Sequence, residues 1–193
     1  LTMNGGLGND VFLGSAGNDF INGGDGDDVA LMGAGDDTFL WNPGDDNDVL
    51  EGQAGFDAML FNGANAAENI DISANGGRAI FLRNVANVVM DLNDTESIDF
   101  NALGGADNIV VNDLSGTDVT EVNVNLAAAG GAGDGAADTV TVQGTNGDDV
   151  ILLVQDGADV VVLGLAAQVR ISGFEVGVDR IVINGLAGDD VVD

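Results

Sequence analysis

Gly5-Gly6-Leu7-Gly8-Asn9-Asp10-Val11-Phe12-Leu13 is followed directly by Gly14-Ser15-Ala16-Gly17-Asn18-Asp19-Phe20-Ile21-Asn22 and Gly23-Gly24-Asp25-Gly26-Asp27-Asp28-Val29-Ala30-Leu31. The same nine-residue register continues through Met32–Leu40. It pauses at an inserted Trp41-Asn42 and resumes at Pro43–Glu51 and Gly52–Leu60. The sixth position is always aspartate: Asp10, Asp19, Asp28, Asp37, Asp48 and Asp57. The eighth is always apolar: Phe12, Ile21, Ala30, Phe39, Leu50 and Met59. A Gly-rich hexad suits a tight turn that needs positive φ, and the last three residues suit a short strand with one inward side chain.

The pattern resembles the hemolysin-type RTX calcium-binding repeats of secreted bacterial proteins, over residues 5–60. Isolated copies recur at Gly144–Leu152 and Gly185–Asp193, which makes Asp149 and Asp190 further candidate metal ligands. Two turn-strand halves close a coil of eighteen residues, so repeats two apart stack on the same side. Asp10, Asp28 and Asp48 then form one column, and Asp19, Asp37 and Asp57 the other. Carbonyls pointing into the gap between stacked turns, with two carboxylates, offer an all-oxygen cage of about six ligands, which suits calcium. The resemblance implies that the carbonyls come from Gly5, Leu7, Asn9, Gly14, Ala16, Asn18, Gly23, Asp25, Asp27, Ala34 and Asp36. Cages at 10/28, 28/48, 19/37 and 37/57 would hold about four Ca2+ ions in this segment, with more possible further on. The Trp41-Asn42 insertion and Asp46 in a glycine position depart from the pattern near Asp48.

Composition points the same way. The 193 residues carry 33 acidic side chains against 4 arginines, a formal charge of -29, yet 45% are hydrophobic. A chain this apolar is foldable, and its self-repulsion calls for cations. The charge argues against nucleic acid and anionic membranes as partners. There is no Cys, His or Lys. That removes disulfides, imidazole metal sites, Ser-His triads and Schiff-base lysines, and leaves oxygen ligands for hard cations. No apolar run approaches the ~20 residues of a membrane helix, so no insertion is expected. No EF-hand loop with a twelfth-position Glu is present, and no Gly-rich turn leads into a dinucleotide-binding helix. A site with a dissociation constant near ~0.1 mM, in millimolar calcium, stabilises by about 1.4 kcal/mol. Four such sites rival the ~5–15 kcal/mol of a whole domain, which predicts folding coupled to calcium.

A longer, fainter repeat follows. Asp57–Asn65 resembles Asp138–Asn146, and Ile98–Asp107 resembles Ile181–Asp190. Short β-branched runs such as 108–111, 139–142, 150–153 and 160–163 read as strands. Leu126-Ala127-Ala128-Ala129 is the best helical candidate, and 130–137 reads as a loop. The expected fold is all-β: a right-handed parallel β-roll at 1–62 continuing into a wider parallel β-solenoid, with one long unit at 63–137 and a truncated copy at 138–193. The start at Leu1 and the stop at Asp193 suggest a piece of a longer protein.

Phe39, Phe61, Phe81 and Phe100 are expected in the core, and Trp41 as a cap on the roll. The arginines are expected in local ion pairs. Asp107, Asp138 and Asp159 join Asp149 and Asp190 as possible ion holders. No catalytic residues are assigned. The expected role is a calcium-binding structural segment of a secreted or cell-surface bacterial protein. The alternatives are a calcium-dependent carbohydrate-binding module or an adhesin or surface-layer module. Besides calcium, the expected partners are another copy of the solenoid, through its open ends, or a surface polysaccharide.

Overall fold

A computed structural model describes residues 1–193. The chain winds between two facing sheets, one strand per half-coil. The opening half-coils are β1 (Thr2–Leu7), β2 (Val11–Leu13), β3 (Phe20–Asp25), β4 (Val29–Leu31), β5 (Thr38–Trp41), β6 (Asp48–Glu51) and β7 (Ala58–Asn62). Then come β8 (Asn69–Asn75), β9 (Arg78–Arg83) and β10 (Val88–Asn93), followed by β11 (Ser97–Asn101), β12 (Asn108–Val111), β13 (Glu121–Asn125) and β14 (Thr139–Gln143). The last are β15 (Val150–Asp156), β16 (Asp159–Leu163), β17 (Gln168–Ser172), β18 (Arg180–Asn184) and β19 (Val191–Val192). One sheet runs β1-β3-β5-β7-β11-β13-β17-β16-β15-β19, and the other β18-β14-β12-β8-β9-β10-β6-β4-β2. The protein is an all-β parallel roll that continues into a parallel solenoid.

Inward positions align from coil to coil because parallel registers keep equivalent residues side by side. In the first sheet Ile21, Phe39, Met59, Ile98, Val122 and Val169 make one such row. A second row begins at the insertion. Trp41 extends β5 far enough to turn inward two residues after Phe39. It pairs in register with Phe61, which pairs with Phe100. Trp41 is fully buried, stacks on Phe61 with ring centroids 3.9 Å apart, and donates its indole N–H to the Asp46 carbonyl at 2.9 Å. It therefore fills the core rather than capping the roll, and it offers no face to a sugar. Phe39, Phe61, Phe81 and Phe100 are all buried, as expected. Just outside the second row, Asn42, Asn62, Asn101 and Asn125 form a ladder of side-chain amide bonds of 2.9, 2.9 and 3.1 Å, which ties the roll to the later coils.

Two features depart from a uniformly parallel solenoid. Strands β8-β9-β10 and β15-β16-β17 are antiparallel meanders, inserted in opposite sheets with the same topology. In each, the first strand pairs with the following coil and the last with the preceding one. The second correction is at 126–129, which is not helical. Leu126 N–H bonds instead to Ser172 of the next coil, and the glycines at 130 and 131 take positive φ. No helix of the chain is long and apolar enough to cross a membrane.

Candidate metal-binding columns

Every turn of the roll ends in an aspartate just before a strand or, at Asp48, on its first residue, and stacking brings these residues into register. Asp28 accepts the backbone N–H of Asp10 on Oδ1 at 2.7 Å, and Asp48 accepts that of Asp28 at 2.9 Å. On the opposite edge Asp37 accepts from Asp19 at 2.7 Å and Asp57 from Asp37 at 2.9 Å. The structure thus brings together both expected columns. The spacing is 18 residues, widening to 20 where Trp41-Asn42 is inserted.

The second carboxylate oxygen decides the chemistry. Oδ2 of Asp10, Asp28, Asp37, Asp48 and Asp57 is buried and has no hydrogen-bond partner. A buried carboxylate without a counter-charge is costly, and it either takes up a proton or attracts a cation. Burial pushes Asp48 up to about 8 and Asp57 up to about 6, with neighbouring carboxylates adding to the rise, and it raises Asp28 and Asp37 as well. Asp19 differs, because Ser15 supplies its backbone N–H to Oδ2 and its hydroxyl to Oδ1.

The glycines make the cage possible. A Cβ on Gly14 would collide with the Met32 carbonyl of the next coil and crowd Asp19 Oδ2. A Cβ on Gly5 would meet the Gly23 carbonyl and Asp10 Oδ2. At Gly5 and Gly14 carboxylate and carbonyl oxygens therefore converge on the first position of the turn, where only hydrogen leaves room, whereas Met32 and Pro43 hold that position in later repeats. No group of three or more His, Cys, Asp or Glu side chains forms a metal cluster. An ion here must be held by paired carboxylates and backbone carbonyls, and that donor set fits a hard cation such as calcium. Of the other turn residues, Asn9, Asn18, Asp27 and Asp36 also carry an outer side-chain ladder. Each accepts the N–H of its counterpart one coil on, at 3.0–3.2 Å. The Asp25 carbonyl accepts from Gly8 at 2.6 Å, whereas Leu7 continues strand β1.

The family model of the RTX calcium-binding nonapeptide repeat matches this chain in four copies, over residues 4–39 and 44–59. The N-terminal roll is an RTX calcium-binding repeat segment. The RTX match skips 40–43, where Trp41-Asn42 interrupts the register. RTX repeats are calcium-binding structural units of bacterial proteins that are typically secreted. No curated protein matches the chain.

The carboxylate ladders run beyond the RTX match, joining Asp107, Asp138, Asp149 and Asp190 to three residues that sequence reading missed, Glu68, Glu96 and Asp179. Glu96 accepts the Asp57 N–H at 2.7 Å and extends that column. Glu68, Asp107, Asp138 and Asp179 build a further one. Asp149 and Asp190 pair likewise at 3.0 Å. The signal was present: each is an acid directly before a strand, with an apolar residue two positions on, as in Glu68-Asn69-Ile70 and Asp179-Arg180-Ile181. Asp159 lies in no column and pairs with Arg170 at 2.9 Å. Arg78 bridges Glu51 and Asp91, Arg83 is buried against Glu68, and Arg180 makes no ion pair.

Proposed function

We propose that this chain is a non-catalytic, calcium-dependent structural segment of a larger secreted or cell-surface bacterial protein, and that it folds when it meets calcium outside the cell. The observation that carries this reading is the file of buried, unpartnered Oδ2 atoms, repeated coil after coil along both edges of the roll. Those oxygens leave the segment under-neutralised in a low-calcium cytosol and satisfied in millimolar extracellular calcium. In this reading Asp10, Asp19, Asp28, Asp37, Asp48 and Asp57 supply the carboxylates, the turn residues from Gly5 to Asp36 supply carbonyls, and about four ions occupy the roll. Asp149 and Asp190 flank a further turn pair of the same kind. We divide the chain into the roll at 1–62, one long solenoid unit at 63–137 and a second at 138–193. The likeness of the two meanders supports the last division. A carbohydrate-binding role carries less weight, because the single Trp is buried and only Phe20 and Phe56 among the large aromatics are well exposed.

Equilibrium dialysis against millimolar calcium, followed by elemental analysis, tests the reading. Several tightly retained calcium ions per chain, with magnesium failing to replace them, are expected. A chain that retains none contradicts the reading.

A further inference from the structure

We infer that a second calcium column lies outside the RTX repeats, in the turns that precede β8, β12, β14 and β18. It rests on the reading of the roll as calcium-binding. Its rungs are Glu68, Asp107, Asp138 and Asp179. Asp107 accepts the N–H of Glu68 at 2.7 Å, Asp138 accepts that of Asp107 at 2.8 Å, and Asp179 accepts that of Asp138 at 3.1 Å. These are the same backbone-to-carboxylate rungs that organise the roll, although the spacing has stretched to 39, 31 and 41 residues.

An acidic ladder alone is not a site. Asp107 supplies the independent observation. It is 2% exposed, and its Oδ2 is buried without any hydrogen-bond partner, as in the roll. Asp138, also 2% exposed, follows directly below it. At the head of this column Glu68 Oε2 lies against Gly63, the first residue of its own turn. There the Asn101 and Ala102 carbonyls of the next coil come within 2.9 and 3.0 Å of where a Cβ would stand. A carboxylate and two carbonyls facing one spot are the start of an all-oxygen cation cage.

The chain's own cations reach only the first rung, Glu68. Arg83 is buried against Glu68, closes the column at that end, and forms no other ion pair. Below it no arginine reaches Asp107, Asp138 or Asp179. Negative charge instead accumulates, because the longer turns add Asp134, which accepts from Gly105 at 3.1 Å, and Glu175, which accepts from Gly135 at 2.8 Å. The column thus begins on an arginine and continues on divalent cations. The ligand class is a hard divalent ion of calcium size, bound between paired carboxylates and carbonyls.

Anomalous diffraction from calcium-loaded crystals of the whole chain tests this without any substitution. Peaks beside Asp107 and Asp138, in addition to those in the roll, are expected. Peaks confined to the roll would overturn the second column and leave the reading of the roll intact. No peaks in either place would overturn both. The variant Asp107→Asn keeps the rung oxygen and removes the charge. By native mass spectrometry in calcium it should bind fewer ions than the parent chain, whereas an unchanged count also overturns the proposal.

Discussion

A strand of the roll such as β4 turns one side chain, Ala30, fully inward, whereas β13 in the later coils turns two, Val122 and Val124. Residues 1–62 carry twelve acidic side chains and no Lys or Arg, and all four arginines lie beyond them. The two regions share a winding and a ladder chemistry, yet they draw on different forces. The opening coils of the roll have a thin core and a row of carboxylates with no arginine, so in the proposed reading ions supply their stability. The later coils have wider strands, meanders and internal ion pairs, so ions bound there would add to a core that is already substantial.

The largest expected effect follows from removing calcium. In hydrogen exchange after chelation, the strand amides of Ile21, Phe39 and Met59 should lose protection before those of Phe100, Val122 and Val140. Simultaneous loss in both regions would break the distinction. Next in size is Arg83→Met, which strands the buried Glu68 and should cost about 3–5 kcal/mol in urea unfolding with calcium present. The two regions should also diverge under Asp37→Asn. That change keeps the rung but removes a ligand charge, and should raise the calcium midpoint about tenfold, equivalent to ~1.4 kcal/mol. It should leave the calcium-free chain no less stable, because a buried unpaired charge is gone.

Acidity offers a gentler probe. Asp48, Asp57 and Asp107 sit at about 8, 6 and 7 in the folded chain, above their ordinary value of 3.8, because burial disfavours the anion. A raised carboxylate favours the folded state fully below its unfolded pKa, and that contribution fades as pH rises through the folded value. The calcium-free chain should therefore have a higher urea midpoint at about pH 5 than at about pH 8. Calcium should bind more weakly on acidification over the same range, since protons compete for the same oxygens. The smallest effect belongs to Asp27→Ala on the outer ladder. It removes exposed bonds to Asn47 and should cost roughly 0.5–1 kcal/mol.

The roll was legible in the sequence because its sixth-position aspartate and eighth-position apolar residue recur in all six repeats. Where glycine holds the first turn position, as at Gly5 and Gly14, the space between coils forces it. Glu68, Glu96 and Asp179 were not legible because their hexads keep the acid and at most one glycine, Gly63 before Glu68 and Gly177 before Asp179. What remains is the acid-strand junction, which is common in any acidic protein. The meanders escaped because β-branched runs suit parallel and antiparallel pairing alike. The hairpin signals at Asn75-Gly76-Gly77 and Asp156-Gly157 were the residues that distinguish them. Trp41 was misplaced because an insertion after a strand reads as an ending, whereas here it lengthens the strand and opens the second core row.

The most direct test of the central claim is far-UV circular dichroism during a calcium titration of chelator-treated protein, with magnesium as control. A gain of β signal at the expense of coil, driven by calcium at submillimolar to millimolar concentration and not by magnesium, is the predicted result. A spectrum already fully β in chelator and unchanged by calcium would contradict the account, leaving the aspartate columns as turns with no metal to hold.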